Sequence, residues 1–135
     1  TALFENCEIR SKTNSYVTAA STPEDIAVGY VFKNCKLTAN PGVDKVYLGR
    51  PWRPYAATVF INCEMGKHIR PEGWHNWGKA ENEKTARYAE YNSMGEGAAA
   101  AGRVKWAKQL TKKEAAQYDD LNYIYRMCSD WKPEN

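Results

Sequence analysis

No stretch of the 135 residues approaches the ~20 consecutive apolar residues of a membrane helix, so no spanning segment is expected. No basic-then-apolar leader opens the chain, which by itself leaves export undecided. The net charge is only +3 at pH 7 and no Lys/Arg stripe forms, so nothing argues for a nucleic-acid partner. The two histidines, His68 and His75, have no third ligand near them in sequence, and a metal site is not expected. Serine-hydrolase, zinc-protease and P-loop patterns do not occur. The Gly/Ala-rich stretch 95–102 lacks the strand-turn-helix setting of a phosphate loop. What the chain has in quantity is aromatic residues, at 13%, with five Trp and nine Tyr. That suggests an unusual core or a surface for sugars or peptides. The length suits one domain with one core.

The cysteines carry a repeat. Cys7, Cys35 and Cys63 lie 28 residues apart, inside LFENCEI (3–9), VFKNCKL (31–37) and VFINCEM (59–65). A further step of the same length reaches RYAEY (87–91), with Tyr88 in place of Phe and Tyr91 in place of Cys. Each unit alternates apolar and variable residues, with turn residues between units and no helical stretch. The pattern predicts an all-β chain folded as a parallel β-helix, one coil per period, stacked about 4.8 Å apart. Phe4, Phe32 and Phe60 should form an inner ladder. Asn6, Asn34 and Asn62 should occupy left-handed turns, with amides bonded from coil to coil. The thiols read best as a buried stack, with a disulfide between coils as the alternative; the spacing does not suit zinc.

The coils should extend over about 1–107, with a helix and tail over about 108–135. Thr111-x-x-Glu114 is a capping box, and Ala115, Tyr118, Leu121 and Tyr125 follow at helical spacing. They predict one C-terminal helix over about 112–124 that plugs the end of the stack, with Trp131 packed back from the tail. The first coil shows no comparable cap, so further coils are expected upstream. Self-association through this uncapped coil is a second expectation.

Chemistry concentrates at YLGRPW (47–52). The strand 46–48 should end where Gly49 and Pro51 interrupt pairing. Arg50 then offers a planar fork for a carboxylate, and Trp52 a flat face for a sugar ring. GWHNW (73–77) comes one coil later, and register should bring Trp74 and Trp77 close to Trp52 as a carbohydrate groove. Core packing explains Trp74 equally well and Trp77 rather better. No pair of carboxylates is expected beside Arg50.

YLGRPW, TVFINCEM (58–65), GWHNW, ARYAEYNSMGEGAA (86–99) and VKWAKQLTKKEAAQY (104–118) together resemble the pectin methylesterase family, over nearly the whole chain. The QLTKKEAAQY ending is most similar to the bacterial members. The resemblance implies a right-handed parallel β-helix with a C-terminal helix. It implies hydrolysis of methyl esters on galacturonan, releasing methanol. One aspartate would attack the ester carbonyl, a second act as acid and then base, and glutamines stabilise the oxyanion, with no metal or other cofactor. Arg50 is then the part of the catalytic machinery that holds the nucleophilic aspartate. Trp52, Trp74 and Trp77 match cleft-lining positions. In the family both aspartates and the glutamines precede the first FxNC strand, so this chain matches the C-terminal portion. It is expected to be inactive alone.

The partner implied is pectin or polygalacturonan, with no nucleic acid and no membrane. Its location would be secreted, periplasmic or at the cell surface, inferred from that substrate. The alternatives are a non-catalytic polysaccharide-binding β-helix module and another pectinolytic β-helix enzyme.

Overall fold

The structure is a computed structural model that describes residues 1–127. In chain order the first strands are β1 (Ala2–Glu5), β2 (Glu8–Ser11), β3 (Tyr16–Ala20), β4 (Tyr30–Lys33) and β5 (Lys36–Ala39). There follow β6 (Tyr47–Pro51), β7 (Ala57–Ile61), β8 (Glu64–Met65), β9 (Arg87–Tyr91) and β10 (Lys108–Gln109). Pairing is parallel throughout, and most strands pair with one a full coil away. One wall is β1-β4-β7-β9-β10, a second β2-β5-β8 and a third β3-β6. This is the parallel β-helix that the repeat implied.

The register places Phe4 opposite Phe32 and Phe32 opposite Phe60. Their rings stack at 4.8 and 4.6 Å, each pair 11° from parallel. Asn6, Asn34 and Asn62 take φ values of 55°, 54° and 53°, a left-handed turn that a short polar side chain tolerates. Cys35 and Cys63 are buried free thiols and Cys7 is half-buried. Burial pushes the Cys63 thiol up to about 12, which keeps it protonated and unreactive.

The fourth unit corrects the sequence reading. Phe60 pairs with Glu90, not Tyr88, so the step is two residues longer than 28. Asn92 is the matching left-handed asparagine, at φ 51°, and its Nδ2 donates to Asn62 Oδ1 at 2.9 Å. Ser93, rather than Tyr91, takes the cysteine position. The likeness of Tyr88 to Phe conceals the extra residues. Tyr88 pairs with Thr58 and still points inward.

The C-terminal region differs from the single helix expected. A turn of helix, α1 (Asn82–Thr85), precedes β9. Thr111 forms the capping box with Glu114 and opens α2 (Lys112–Ala116), which passes through a 3-10 turn, Gln117–Asp119. Asp120 is extended, and its carboxylate accepts the Asn122 amide at 2.9 Å, starting α3 (Leu121–Ile124) afresh. An aspartate competes for backbone amides in this way, which is why it breaks helices and caps them.

These turns do not plug the stack. They cover the outer face of the long wall, where Tyr118, Leu121 and Ile124 join Val28, Val31, Val59 and Ile61. Lys33 Nζ ties them down, donating to Tyr118 O at 3.0 Å and Asp119 Oδ1 at 2.9 Å. The physical reason lies in the strands: β4 and β7 are apolar on both faces, so the outer face also needs cover. The tail with Trp131 lies outside the described residues.

His68 is buried among these coils, and its Nε2 has no hydrogen-bond partner. Burial pushes its pKa below the ordinary 6.5. The unfolded chain therefore binds the proton more readily than the folded one. The stability this group contributes is present above pH 6.5 and lost as pH falls below it. Urea unfolding at stepped pH should show this, with a shallower acid-side loss in His68→Gln; equal slopes would refute it.

Candidate functional site

β6 runs through Gly49 and Pro51 and stays paired with β3, so the strand does not end at residue 48. Pro51 is its last residue, and the next amide, of Trp52, donates to Ala20 O at 3.0 Å. Gly49 is required by contact: a β-carbon there would clash with Thr18 Oγ1 and lie 3.0 Å from the Trp74 ring.

Arg50 extends into an aromatic enclosure. Its guanidinium carbon lies 3.9 Å from the ring centre of Trp77, and 5.2 Å from those of Tyr16 and Trp52. Cation–π attraction holds it there, more strongly as water is excluded. Its Nε and Nη1 are buried and have no hydrogen-bond partner. No ion pair among the described residues includes Arg50. The positive charge also reaches Tyr88, opposing the burial that drives its phenol pKa upward.

Two of the expected indoles converge on this cation. Trp52 is 62% exposed and Trp77 45%, so both present faces to solvent. Trp74 does not join them. It is 1% exposed and stacked on Tyr88 at 4.2 Å, with Phe60 5.9 Å away. Gly49 leaves the space this indole fills, and the core absorbs it. Trp74 is a core residue, not a groove wall.

Trp77 has a φ of 59°, a conformation that costs a bulky residue of order 1–3 kcal/mol. Asn76 over-determines it. Its Oδ1 accepts the Gly78 amide at 2.8 Å, its Nδ2 donates to Glu83 Oε2 at 2.9 Å, and its carbonyl accepts Asn82 Nδ2 at 3.0 Å. Sequence reasoning missed Asn76, whose only signal is the turn-forming Asn-Trp-Gly.

It also missed Tyr16. Tyr16 and Tyr47 are register partners in β3 and β6 and stack at 5.4 Å. Their separation of 31 residues hides them from a search at 28. His75 lies beside both, 4.9 Å from Tyr47 and 5.9 Å from Tyr16. The two histidines thus sit in different settings. Among the described residues no cluster of three or more His, Cys, Asp or Glu could hold a metal ion.

The chain matches the family model described as Pectinesterase over residues 1–127. It is 41% identical to Pectinesterase 31 of Arabidopsis thaliana, over 92% of this chain and 39% of that protein. It is 35% identical to Pectinesterase QRT1 of the same plant, over 92% of this chain and 33% of that one. Thus the chain spans little more than a third of these relatives. Among solved structures, a pectin methylesterase from carrot superposes with a TM-score of 0.78 at 25% identity, covering 98% of this chain and 47% of that one. A pectin methylesterase in complex with a hexasaccharide gives 0.76 at 29%, covering 98% and 46%.

Proposed function

The chain belongs to the pectinesterase family, and from that premise we propose that it supplies the arginine and two indole walls of a pectin-demethylesterifying cleft. The observation that carries the reading is Arg50, a guanidinium fixed by three rings with buried donors that lack acceptors. Such a group suits a carboxylate. A carboxylate seated on it is oriented by the planar fork and kept ionised by the charge, as a nucleophile must be. Attack on the ester carbonyl by that carboxylate would break the bond to the methoxy oxygen, which takes a proton from an acidic group and leaves as methanol. The resulting acyl anhydride would be hydrolysed by water. Arg50 positions the nucleophile and does not itself form or break a bond.

Trp52 and Trp77 supply the rest. Their exposed faces can stack on sugar rings, and a bound sugar would exclude water from Arg50 and strengthen its hold on the carboxylate. The substrate is accordingly methyl-esterified galacturonan, and the site of action the cell wall or extracellular space.

Titration calorimetry with methyl-esterified oligogalacturonan tests the groove. Trp52→Ala should weaken binding about tenfold by removing a stacking face, with unfolding unaltered because the indole is largely exposed. Unchanged affinity would remove Trp52 from the site. Since no carboxylate pairs with Arg50 among the described residues, the 135-residue chain should release no methanol from methylated pectin. Measurable release would overturn that assignment of roles.

A further inference from the structure

Arg50 is not the only arginine of this kind. Arg87 and Arg103 are structural: Arg87 donates to the carbonyls of Pro23, Ile26 and Tyr55, and Arg103 is saturated by Glu90 and three carbonyls. Arg70 resembles Arg50 instead. Its guanidinium makes no hydrogen bond or ion pair with any described residue, and its Nε is buried without a partner. It lies over an aromatic ring, with Cζ 4.8 Å from the centre of Tyr47.

The coils dictate this placement. Val46 bridges to Ile69, and the Arg70 amide donates to Val46 O at 2.8 Å. Tyr16, Tyr47 and Arg70 therefore succeed one another on three stacked coils. The tyrosine pair is bracketed by two guanidiniums, Arg50 over Tyr16 and Arg70 over Tyr47. His75 flanks the pair, and its Nδ1 is 3.5 Å from Tyr16 Oη. Trp77 joins the same surface, edge-on to Tyr16 at 5.8 Å.

We propose that Arg70, Tyr47 and His75 form a second anion subsite, which binds a free uronate carboxylate of an acidic polysaccharide lying along the groove. The inference rests on the groove reading above. The aromatic floor suits pyranose rings, and the unpaired fork suits a carboxylate in bidentate contact. A methyl ester at this position would lack the charge and offer one good acceptor, its carbonyl oxygen, where the carboxylate offers two. The site therefore discriminates by esterification, taking a chain already de-esterified at that position. The reaction proposed for this family yields such a chain as its product.

The test is calorimetry on the full chain with hexagalacturonic acid and with its fully methyl-esterified form. Arg70→Gln should weaken binding of the acid about tenfold and change the ester less than twofold. Arg70→Lys, which keeps the charge without the fork, should recover part of the loss. Added salt should weaken acid binding in the parent more than in Arg70→Gln. Equal loss for both ligands, or no loss for either, overturns the subsite and leaves the groove standing. A parent chain that binds neither ligand overturns both. Should Arg70→Gln fail to fold, Arg70→Lys and the parent's salt dependence decide, and salt-insensitive acid binding overturns the proposal.

Discussion

Glu90→Ala should lower the stability of this chain by about 3–5 kcal/mol, read as a drop in urea midpoint at unchanged m-value. Glu90 stands where the other coils place phenylalanine, so a carboxylate enters the core in line with an aromatic ladder. It is tolerated because Arg103 meets it, with Nε to Oε2 at 2.7 Å and Nη2 to Oε1 at 3.2 Å. Both side chains are nearly sealed, at 2% and 3% exposure. Ser93 adds a bond to Oε1 at 2.9 Å. Removing the carboxylate leaves a guanidinium buried and uncompensated, which costs far more than the pair itself is worth.

The pair also organises the loop beside the site. Arg103 Nη1 donates to Pro71 O at 3.1 Å and Arg70 O at 3.3 Å, and Nη2 to Gly97 O at 2.8 Å. Gly73, at φ 77°, lies so close that a β-carbon would be 2.5 Å from Arg103 Cδ. Replacing both members with Phe and Met should recover only part of the stability. The charge penalty disappears, but three carbonyls lose their donor. A Glu90→Ala loss below about 1 kcal/mol would refute the account.

Trp74→Ala should cost a similar about 3–5 kcal/mol, the usual penalty for deleting a fully buried aromatic side chain. The indole fills the interior between Phe60 and Tyr88, and no nearby side chain can close so large a gap. The contrast with Trp52→Ala separates the two tryptophans: Trp74 should move the unfolding midpoint, Trp52 the affinity. If Trp74→Ala left stability intact while abolishing oligosaccharide binding, the core placement of this indole would be wrong.

The β-helix was legible because its periodicity is chemical. Phe, Asn and Cys recur at one spacing, and each has its own reason to: ladder, left-handed turn, small inward thiol. The repeat lost legibility at the fourth coil, where two extra residues shift the frame and Tyr88 imitates the missing Phe. Strand periodicity reports alternation, and alternation cannot register an insertion between strands. The helical region failed differently. Spacing within 112–124 permits a continuous helix, and only the local competition of Asp120 for a backbone amide divides it.

The site shows the same division. Sequence alone singled out Arg50 and Trp52, because a cation and an indole between Gly and Pro are chemically conspicuous. It could not separate Trp74 from Trp77, three residues apart in one motif. Tertiary structure decided that, since the space behind Gly49 draws one indole inward and the Asn76 turn swings the other over Arg50. Tyr16, Tyr47 and Arg70 were unreadable for a related reason. They become neighbours only through coil register, and unequal loops erase register from a linear search. Thus sequence determined the architecture and the chemical character of the site, because both rest on residue type and spacing. The structure determined which aromatic rings enclose which cation, because that depends on which residues from successive coils face one another.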